Sequence, residues 1–428
     1  MESIEEAAKV AQELLDKEAA TDPATRSALS IVKEFIQTNK VLCYGGTAIN
    51  NLLPKEEQFY DPTKDVPDYD FFSETPQAHA VKIADHLASE GFESVEVKPG
   101  VHVGTFKVFC DFNGVADISH LDKPIFKKLW ESSITKNGIH YVPPNFLRMS
   151  MYLELSRPRG DVSRWKKVYT RLQLLNKHYP IKCPSLKAKV EERHVMDDKL
   201  ETFLKSHDVV LLGFNAADMN HKGVSGNLKF PVDLLVTPEK RDEVASKIHD
   251  ILHERTRREE YKAFGELFPP HTDIDDSKSG DTLVRIYETD ACHSYHEAEN
   301  GLKIASIPTL LQFMFAAMYA PRHFLEEVPL EKYICVADKL VEMANDSGSR
   351  KYKLLTPISC LGKQKTLIDM RMEKSELYEK LKDSPKFLEV FFTYSPTSMD
   401  KTKRRKIKAK LKTLRGGLRV SSKRISRA

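Results

Sequence analysis

A short apolar run, a glycine turn and a helical pattern follow one another in residues 41–53, and this order restricts the possible folds more than any other feature. Residues 41–44 have the length and composition of a buried strand, Gly45-Gly46-Thr47 is a turn signal, and a helical pattern starts at residue 48. The succession of strand, turn and helix predicts an α/β (α+β) domain with a mixed sheet. Because glycine lets backbone N–H groups approach a ligand closely at a helix N-terminus, the turn also predicts an anion-binding site.

Three aspartates lie on two predicted strands downstream of this turn. Residues 68–72 alternate with period two, which puts Asp68 and Asp70 on the same face of a strand. Asn113-Gly114 is a strong hairpin signal between two further strand-like runs, so Asp117 lies on the returning strand. Neighbouring strands of one sheet would therefore carry all three carboxylates.

This set of residues suits the transfer of a nucleotidyl group from a triphosphate. The reaction needs charge neutralised on the attacking hydroxyl and the leaving pyrophosphate, and two magnesium ions roughly 3.5–4 Å apart do this. Hard cations prefer carboxylate oxygens, so we predict two Mg²⁺ (or Mn²⁺) ions held by Asp68, Asp70 and Asp117. Asp111 is the less favoured alternative to Asp117. The phosphates would lie against Gly45-Gly46-Thr47. A glycine turn or an Asp-x-Asp pair alone is common, but their ordered combination is specific.

The second half of the chain repeats this order in a degenerate form. Residues 209–216 echo the strand and glycine turn, and residues 230–238 echo the segment with the Asp-x-Asp pair. Phe214 stands where the second glycine was, and Pro231 stands where the first aspartate was, which leaves Asp233 alone. One carboxylate cannot build a two-ion site, so we predict a related domain without catalytic activity. A chance similarity between two α/β segments is the alternative.

The run CYGGTAINNLL, followed by PDYDFF and NGVADIS, resembles the poly(A) polymerase catalytic subunit of large cytoplasmic DNA viruses, the poxvirus and giant-virus group. These proteins belong to the DNA polymerase β-like nucleotidyltransferase superfamily, and the similarity is strongest over residues 38–180. It implies a nucleotidyltransferase fold with a degenerate second copy, ATP as substrate and an RNA 3′ end as acceptor. It also implies the roles given above to the glycine turn and to Asp68, Asp70 and Asp117. The 21 residues between Gly46 and Asp68 exceed the spacing in compact superfamily members.

Two basic segments are candidates for contacts with phosphate. Arg157 and Lys166 lie in a basic stretch beyond the predicted hairpin, and we predict that they contact the triphosphate or the RNA backbone. A solvated helix face is the alternative. Residues 401–428 contain 13 Lys or Arg and no Asp or Glu, with apolar residues at helical spacing. This tail predicts a basic helix on RNA, with a disordered tail or a nuclear-targeting signal as alternatives.

Composition restricts the compartment and the redox state. The N-terminus is acidic, unlike that of a signal peptide, and the chain lacks an apolar run long enough to span a membrane. We predict a soluble intracellular protein without membrane contact. The viral resemblance suggests the host cytoplasm (virus factory) and also the virion as locations. The six cysteines include no CxxC pair, so we predict reduced thiols rather than a zinc ribbon or a disulfide framework.

The predicted organisation has four segments. N-terminal helices occupy residues 1–37, a catalytic domain 38–190, a degenerate domain 195–395 and a basic tail 396–428. The predicted function is template-independent addition of AMP from ATP to RNA 3′ ends, as in mRNA polyadenylation. One alternative is an enzyme with another acceptor, a tRNA end or a small molecule, and the other is a non-catalytic RNA-binding or processivity subunit. The residues alone do not identify ATP, and the resemblance leaves open a homodimer or a separate processivity subunit.

Overall fold

The computed structural model of the chain describes residues 2–61, 63–184, 198–222, 228–252, 256–321, 328–345, 354–384 and 386–413. Within these ranges, no helix is both long and apolar enough to cross a bilayer. The chain divides into two compact units, Met1–Pro143 with Leu367–Ala428, and Pro144–Thr366. The four segment limits derived from the sequence stay a prediction.

Helices and strands follow one another along both units. The strands are β1 (Leu42–Cys43), β2 (Tyr69–Ser73), β3 (Val95–Pro99), β4 (Thr105–Cys110), β5 (Asn113–His120), β6 (Ile134–Lys136), β7 (Ile139–Tyr141), β8 (Val210–Leu212), β9 (Val232–Val236), β10 (Thr256–Tyr261), β11 (His271–Asp276), β12 (Thr282–Glu288), β13 (His293–Glu297), β14 (Lys303–Ala305) and β15 (Cys360–Leu361). The helices are α1 (Glu2–Thr21), α2 (Pro23–Thr38), α3 (Gly45–Leu52), α4 (Pro76–Ser89), α5 (Lys123–Glu131), α6 (Pro144–Leu155), α7 (Trp165–His178), α8 (Asp198–Ser206), α9 (Gly213–Lys222), α10 (Arg241–Leu252), α11 (Ile307–Ala317), α12 (Leu330–Asn345), α13 (Leu367–Leu381), α14 (Phe387–Val390) and α15 (Lys401–Thr413).

The first unit is built on a mixed sheet with the strand order β3-β4-β5-β2-β1-β7-β6. The central strand β2 pairs antiparallel with β1 and parallel with β5. Along β4, Phe106, Val108 and Cys110 are buried while the residues between them are only half-buried, which is the period-two pattern of a strand with one core face. Helices α2 and α4 contact this sheet and bury their apolar faces. The result is a layer of helices over a sheet whose middle strand carries Asp70.

The hairpin between β4 and β5 turns two residues earlier than the Asn113-Gly114 signal predicts. Asp111 and Phe112 form the turn, and both have positive φ values, 47° and 67°. The predicted turn position is wrong because the register is fixed by buried apolar pairs such as Phe106 opposite Ile118. The hairpin itself and its two strands are as predicted.

The second unit repeats the sheet of the first. Its strand order is β10-β11-β12-β9-β8-β14-β13-β15. The strand β9 pairs antiparallel with β8 and parallel with β12, and β8 is parallel to β14. In the first unit, β2 has the same relation to β1 and β5, and β1 the same relation to β7. The predicted second copy of the fold is therefore confirmed in its sheet topology, with β15 as an added edge strand.

The cysteines differ from the prediction. Cys183 pairs with Cys335, and Cys292 pairs with Cys360, in two disulfides within the second unit. The prediction of reduced thiols is wrong for these four residues, because the partners are 152 and 68 residues apart and no local spacing reveals them. Cys43 and Cys110 of the first unit are free and buried, as predicted.

Candidate active site

Three aspartate side chains converge at one end of the central strands of the first sheet. Asp70 in β2 lies directly opposite Asp117 in the parallel strand β5, and Asp68 is the residue just before β2 begins. One carboxylate oxygen from each of the three residues lies within 4.8 Å of the other two. The structure thus brings together the three carboxylates that the sequence predicted as metal ligands. Asp111 lies instead in the hairpin turn.

The glycine turn lies against this group. Gly45 begins α3 with φ +71°, and any β-carbon at this position would overlap the Asp70 carboxylate. The Tyr44 N–H group donates a hydrogen bond of 2.9 Å to the Asp70 carbonyl oxygen, which joins the turn to β2. A side chain at residue 45 would therefore be excluded both by the backbone conformation and by the neighbouring carboxylate.

Gly46 and Thr47 lie in the first turn of α3, where helix N–H groups lack partners within the helix. Such groups, together with the helix dipole, attract anions. Thr47 is buried, and its hydroxyl donates a hydrogen bond of 2.9 Å to the Asp68 carbonyl oxygen. The hydroxyl proton is thus used to position Asp68. The predicted phosphate contacts of these two residues stay predictions.

The electrostatics of the site favour a bound cation. Burial is the main cause that raises the pKa of Asp68, and the nearby Asp117 carboxylate raises that pKa further, while Lys107 partly opposes both. Asp117 Oδ2 accepts a hydrogen bond of 2.5 Å from Lys107 Nζ, whereas Asp117 Oδ1 is buried without a hydrogen-bond partner among the described residues. A buried carboxylate oxygen without a partner, beside two more carboxylates, offers the hard oxygen ligands that Mg²⁺ and Mn²⁺ prefer.

Lys107 was not among the predicted site residues. It lies on β4 opposite Asp117, and its side chain is 38% exposed against 16% for Asp117. Its position depends on the hairpin register, which has an irregularity between Val108 and Phe109. A regular hairpin with its turn at Asn113-Gly114 would place residue 110 opposite Asp117. The predicted turn therefore gives the wrong cross-strand neighbour for Asp117, which is Lys107 in the structure.

Arg157 and Lys166 belong to the second unit. Burial lowers the pKa of Arg157, and its Nε atom is buried without a hydrogen-bond partner among the described residues. Lys166 is exposed on α7. Their assignment to the triphosphate or to RNA stays a prediction.

The second unit keeps the turn and one aspartate, Asp233, but lacks the other two carboxylates. Gly213 begins α9 with φ +67° and approaches Asp233 as Gly45 approaches Asp70. In β12, Arg285 lies opposite Asp233, the place that Asp117 has in the first unit. Arg285 donates two hydrogen bonds to the buried Asp273, of 2.8 and 2.7 Å. Together with Pro231 in place of the first aspartate, these changes leave an arginine where a cation would need an anionic ligand.

Comparison with known proteins supports the relationship inferred from the motifs. Residues 30–161 match the poly(A) polymerase catalytic subunit family. An African swine fever virus protein (isolate Pig/Kenya/KEN-50/1950), provisionally named poly(A) polymerase catalytic subunit, is 32% identical over 188 residues, which are 42% of this chain and 39% of that protein. A protein of Acanthamoeba polyphaga mimivirus with the same provisional name is 29% identical over 160 residues, 36% of this chain and 27% of that protein. The predicted resemblance is confirmed.

The comparisons differ in how much of each protein they cover. The sequence match spans about two-fifths of the length of the African swine fever virus relatives. The crystal structure of the Megavirus polyadenylate synthase matches with a TM-score of 0.75 and 20% identity, over 96% of this chain and 88% of that chain. This second match extends over both units and confirms the predicted mixed α/β fold.

Proposed function

We propose that this chain is a template-independent polynucleotide adenylyltransferase that adds AMP from ATP to the 3′ ends of RNA. One observation carries the proposal. The only acidic cluster with metal-binding geometry among the described residues, Asp68 with Asp70 and Asp117, lies inside the segment that matches the poly(A) polymerase catalytic subunit family. The names of the viral relatives support adenylate transfer over other nucleotidyl transfers.

The three carboxylates are the proposed ligands of two divalent cations, Mg²⁺ or Mn²⁺. Bound there, the cations would supply charge neutralisation at the 3′-hydroxyl, the α-phosphate and the leaving pyrophosphate. Asp68 and Asp70 are two residues apart in the chain and would share both ions. Asp117, from the neighbouring strand, would complete the ligand set on the side of the attacking hydroxyl. Its buried, unpartnered Oδ1 atom supports this assignment.

The glycine turn is the proposed site of the triphosphate. The N–H groups of Gly46 and its neighbours lie in the first turn of α3, and at Gly45 the turn comes so close to the Asp70 carboxylate that a side chain is excluded. Backbone N–H groups at a helix N-terminus bind phosphate without the need for a positively charged side chain. Arg157 and Lys166 are proposed as additional phosphate contacts.

The helix α15 is proposed as a contact for the RNA backbone. Ile407 is buried and Lys408 Nζ lies 2.5 Å from Asp85, so this helix is attached to α4 of the first unit. Residues 401–413 contain no acidic side chain, and most of the Lys and Arg side chains in residues 401–411 are exposed. The rest of the predicted tail, residues 414–428, lies outside the described residues. A homodimer or a separate processivity subunit, and action in the host cytoplasm, stay predictions.

The test is extension of a 5′-labelled oligoribonucleotide by the purified protein with Mg²⁺ or Mn²⁺ and each of the four nucleoside triphosphates separately. We expect long products with ATP and none from the Asp68→Ala/Asp70→Ala double variant. Extension of a tRNA or a small molecule in place of the oligoribonucleotide would favour the other-acceptor alternative. A protein that binds RNA but extends no acceptor with any nucleotide would contradict the proposal and favour a non-catalytic subunit.

A further inference from the structure

Lys107 holds one oxygen of the aspartate group in the first unit. It faces Asp117 across the β4–β5 pair, with Nζ 2.5 Å from Oδ2. Its charge also acts on Asp68, whose pKa it lowers. The ammonium group therefore lies within the field of the same carboxylates that are the proposed cation ligands.

The second unit has a pair at the equivalent position with the two charges exchanged. Asp273 of β11 faces Arg285 of β12, as Lys107 of β4 faces Asp117 of β5. The Arg285 and Asp273 side chains are only 4% and 3% exposed and are joined by two hydrogen bonds. The Lys107 side chain makes a single hydrogen bond within the described part of the chain, to Asp117, and is 38% exposed. A buried bidentate arginine is fixed in place, whereas a half-exposed lysine on a flexible stem can turn away to solvent.

We propose that Lys107 is a displaceable counter-ion of the aspartate group, and that a cation must drive it away from Asp117 to gain the full set of ligands. This inference rests on the proposed function, because it takes the three carboxylates as the cation site. Before cations bind, Lys107 offsets part of the negative charge of the group. When they bind, the ammonium group is repelled and Asp117 Oδ2 is freed.

The arrangement has a consequence for how cations enter. Free divalent cations compete with Lys107 for the carboxylates, so their binding to the protein alone is weakened. A cation already bound to a nucleoside triphosphate arrives with additional negative charge, which also offers the released ammonium group a partner. Lys107 thereby favours cation binding together with the nucleotide over cation binding alone.

The test is Mn²⁺ binding to the metal-free protein, measured by electron paramagnetic resonance of the free ion. We expect Lys107→Met to bind Mn²⁺ about tenfold more tightly than the unmodified protein, because a like charge a few ångströms away is removed. Lys107→Arg keeps the charge and should bind Mn²⁺ no more tightly than the unmodified protein, because a guanidinium group that pairs with a carboxylate is at least as hard to displace as an ammonium group. Lys98 lies on β3, opposite Lys107, and forms an ion pair with Glu96. Lys98→Met therefore removes one nearby positive charge and serves as the matched control. We expect it to change Mn²⁺ affinity by less than about twofold, because solvent ions screen this charge.

Thermal unfolding provides a second readout. In EDTA, Lys107→Met leaves Asp117 without its partner and should unfold at a lower temperature than the unmodified protein, and saturating Mn²⁺ should remove this difference. Equal or weaker Mn²⁺ binding by Lys107→Met would overturn the proposal and make Lys107 a residue that merely orients Asp117. Failure of the proposed cation site itself would give a different result. In that case the Asp68→Ala/Asp70→Ala variant would bind Mn²⁺ as tightly as the unmodified protein.

Discussion

Gly45 determines how closely the turn before α3 approaches Asp70. Its φ of +71° lies in the left-handed region, and a β-carbon there would overlap the carboxylate. The residue thus meets two separate requirements, one of conformation and one of space. Relief of the overlap would have to move the Asp70 carboxylate or the turn itself.

This geometry gives a prediction with an internal control. We expect Gly45→Ala to reduce RNA extension by roughly 100-fold or more, because small displacements of reacting groups have effects of that size. Gly213→Ala has the same conflict with Asp233 in the second unit and should leave extension nearly unchanged. Each variant should lower the free energy of unfolding by about 1–3 kcal/mol. Extension assays and thermal unfolding of both variants check this, and an active Gly45→Ala enzyme would contradict it.

Sequence patterns predict some residues of this site better than others. The period-two alternation at residues 68–72 and the hairpin signal bring Asp68, Asp70 and Asp117 to one place, since side-chain direction in strands follows directly from position. Lys107 was missed because its neighbour depends on the turn position and on a register irregularity. Thr47 was predicted as a phosphate contact, but its bond to the Asp68 carbonyl oxygen depends on packing that no pattern encodes.

At the scale of elements, the β4–β5 hairpin illustrates what turn chemistry can and cannot predict. Asn-Gly is favoured in two-residue turns because both residues tolerate positive φ. Here Asp111 and Phe112 take those conformations, and Phe112 is 87% exposed. Burial of the strand faces outweighs the local preference, because a shift of register would move the apolar side chains of β4 out of the core.

The helix α15 allows a prediction about RNA binding. The triple variant Lys403→Gln/Arg405→Gln/Lys406→Gln removes three exposed charges and should weaken RNA binding. It should also reduce the slope of log affinity against log salt by roughly 2, at about 0.7 per phosphate contact with a single strand. The control Lys9→Gln/Lys17→Gln/Lys33→Gln removes three exposed lysines of α1 and α2. Filter-binding titrations at several salt concentrations compare the RNA affinity of the two triple variants. An equal loss of RNA affinity in both would contradict a specific role of α15.

At the scale of the whole molecule, the same sheet topology occurs twice, with different charged side chains on its central strands. The repeat was visible in the sequence because strand, turn and helix signals recur in the same order. The disulfides and the Asp273–Arg285 pair were not visible in the sequence, because no local spacing indicates which distant residues pair with each other. Short-range patterns thus predicted the topology, while long-range pairings required the structure.

The Asp273–Arg285 pair should matter for stability in the second unit. Arg285→Met leaves the buried Asp273 without its arginine partner and should lower the free energy of unfolding by roughly 3–5 kcal/mol, whereas the double variant Asp273→Leu/Arg285→Met should recover most of this. Arg258→Met breaks a more exposed pair with Asp242 and should cost less than about 1 kcal/mol. Chemical denaturation measures all three. A double variant no more stable than Arg285→Met would contradict the pairing argument.

The exchanged charges also restrict which substitutions could build a cation site in the second unit. An aspartate opposite Asp233 would require Arg285→Asp, which would bury that carboxylate beside Asp273 and Asp233 with no cation to offset them. Changing Asp273 first would instead remove the buried carboxylate that accepts two hydrogen bonds from Arg285. Each single step passes through an unstable protein, and Pro231 would have to change as well. The Asp273–Arg285 pair thus stabilises the second unit in a form without a cation site, because a single substitution toward such a site disrupts a buried ion pair.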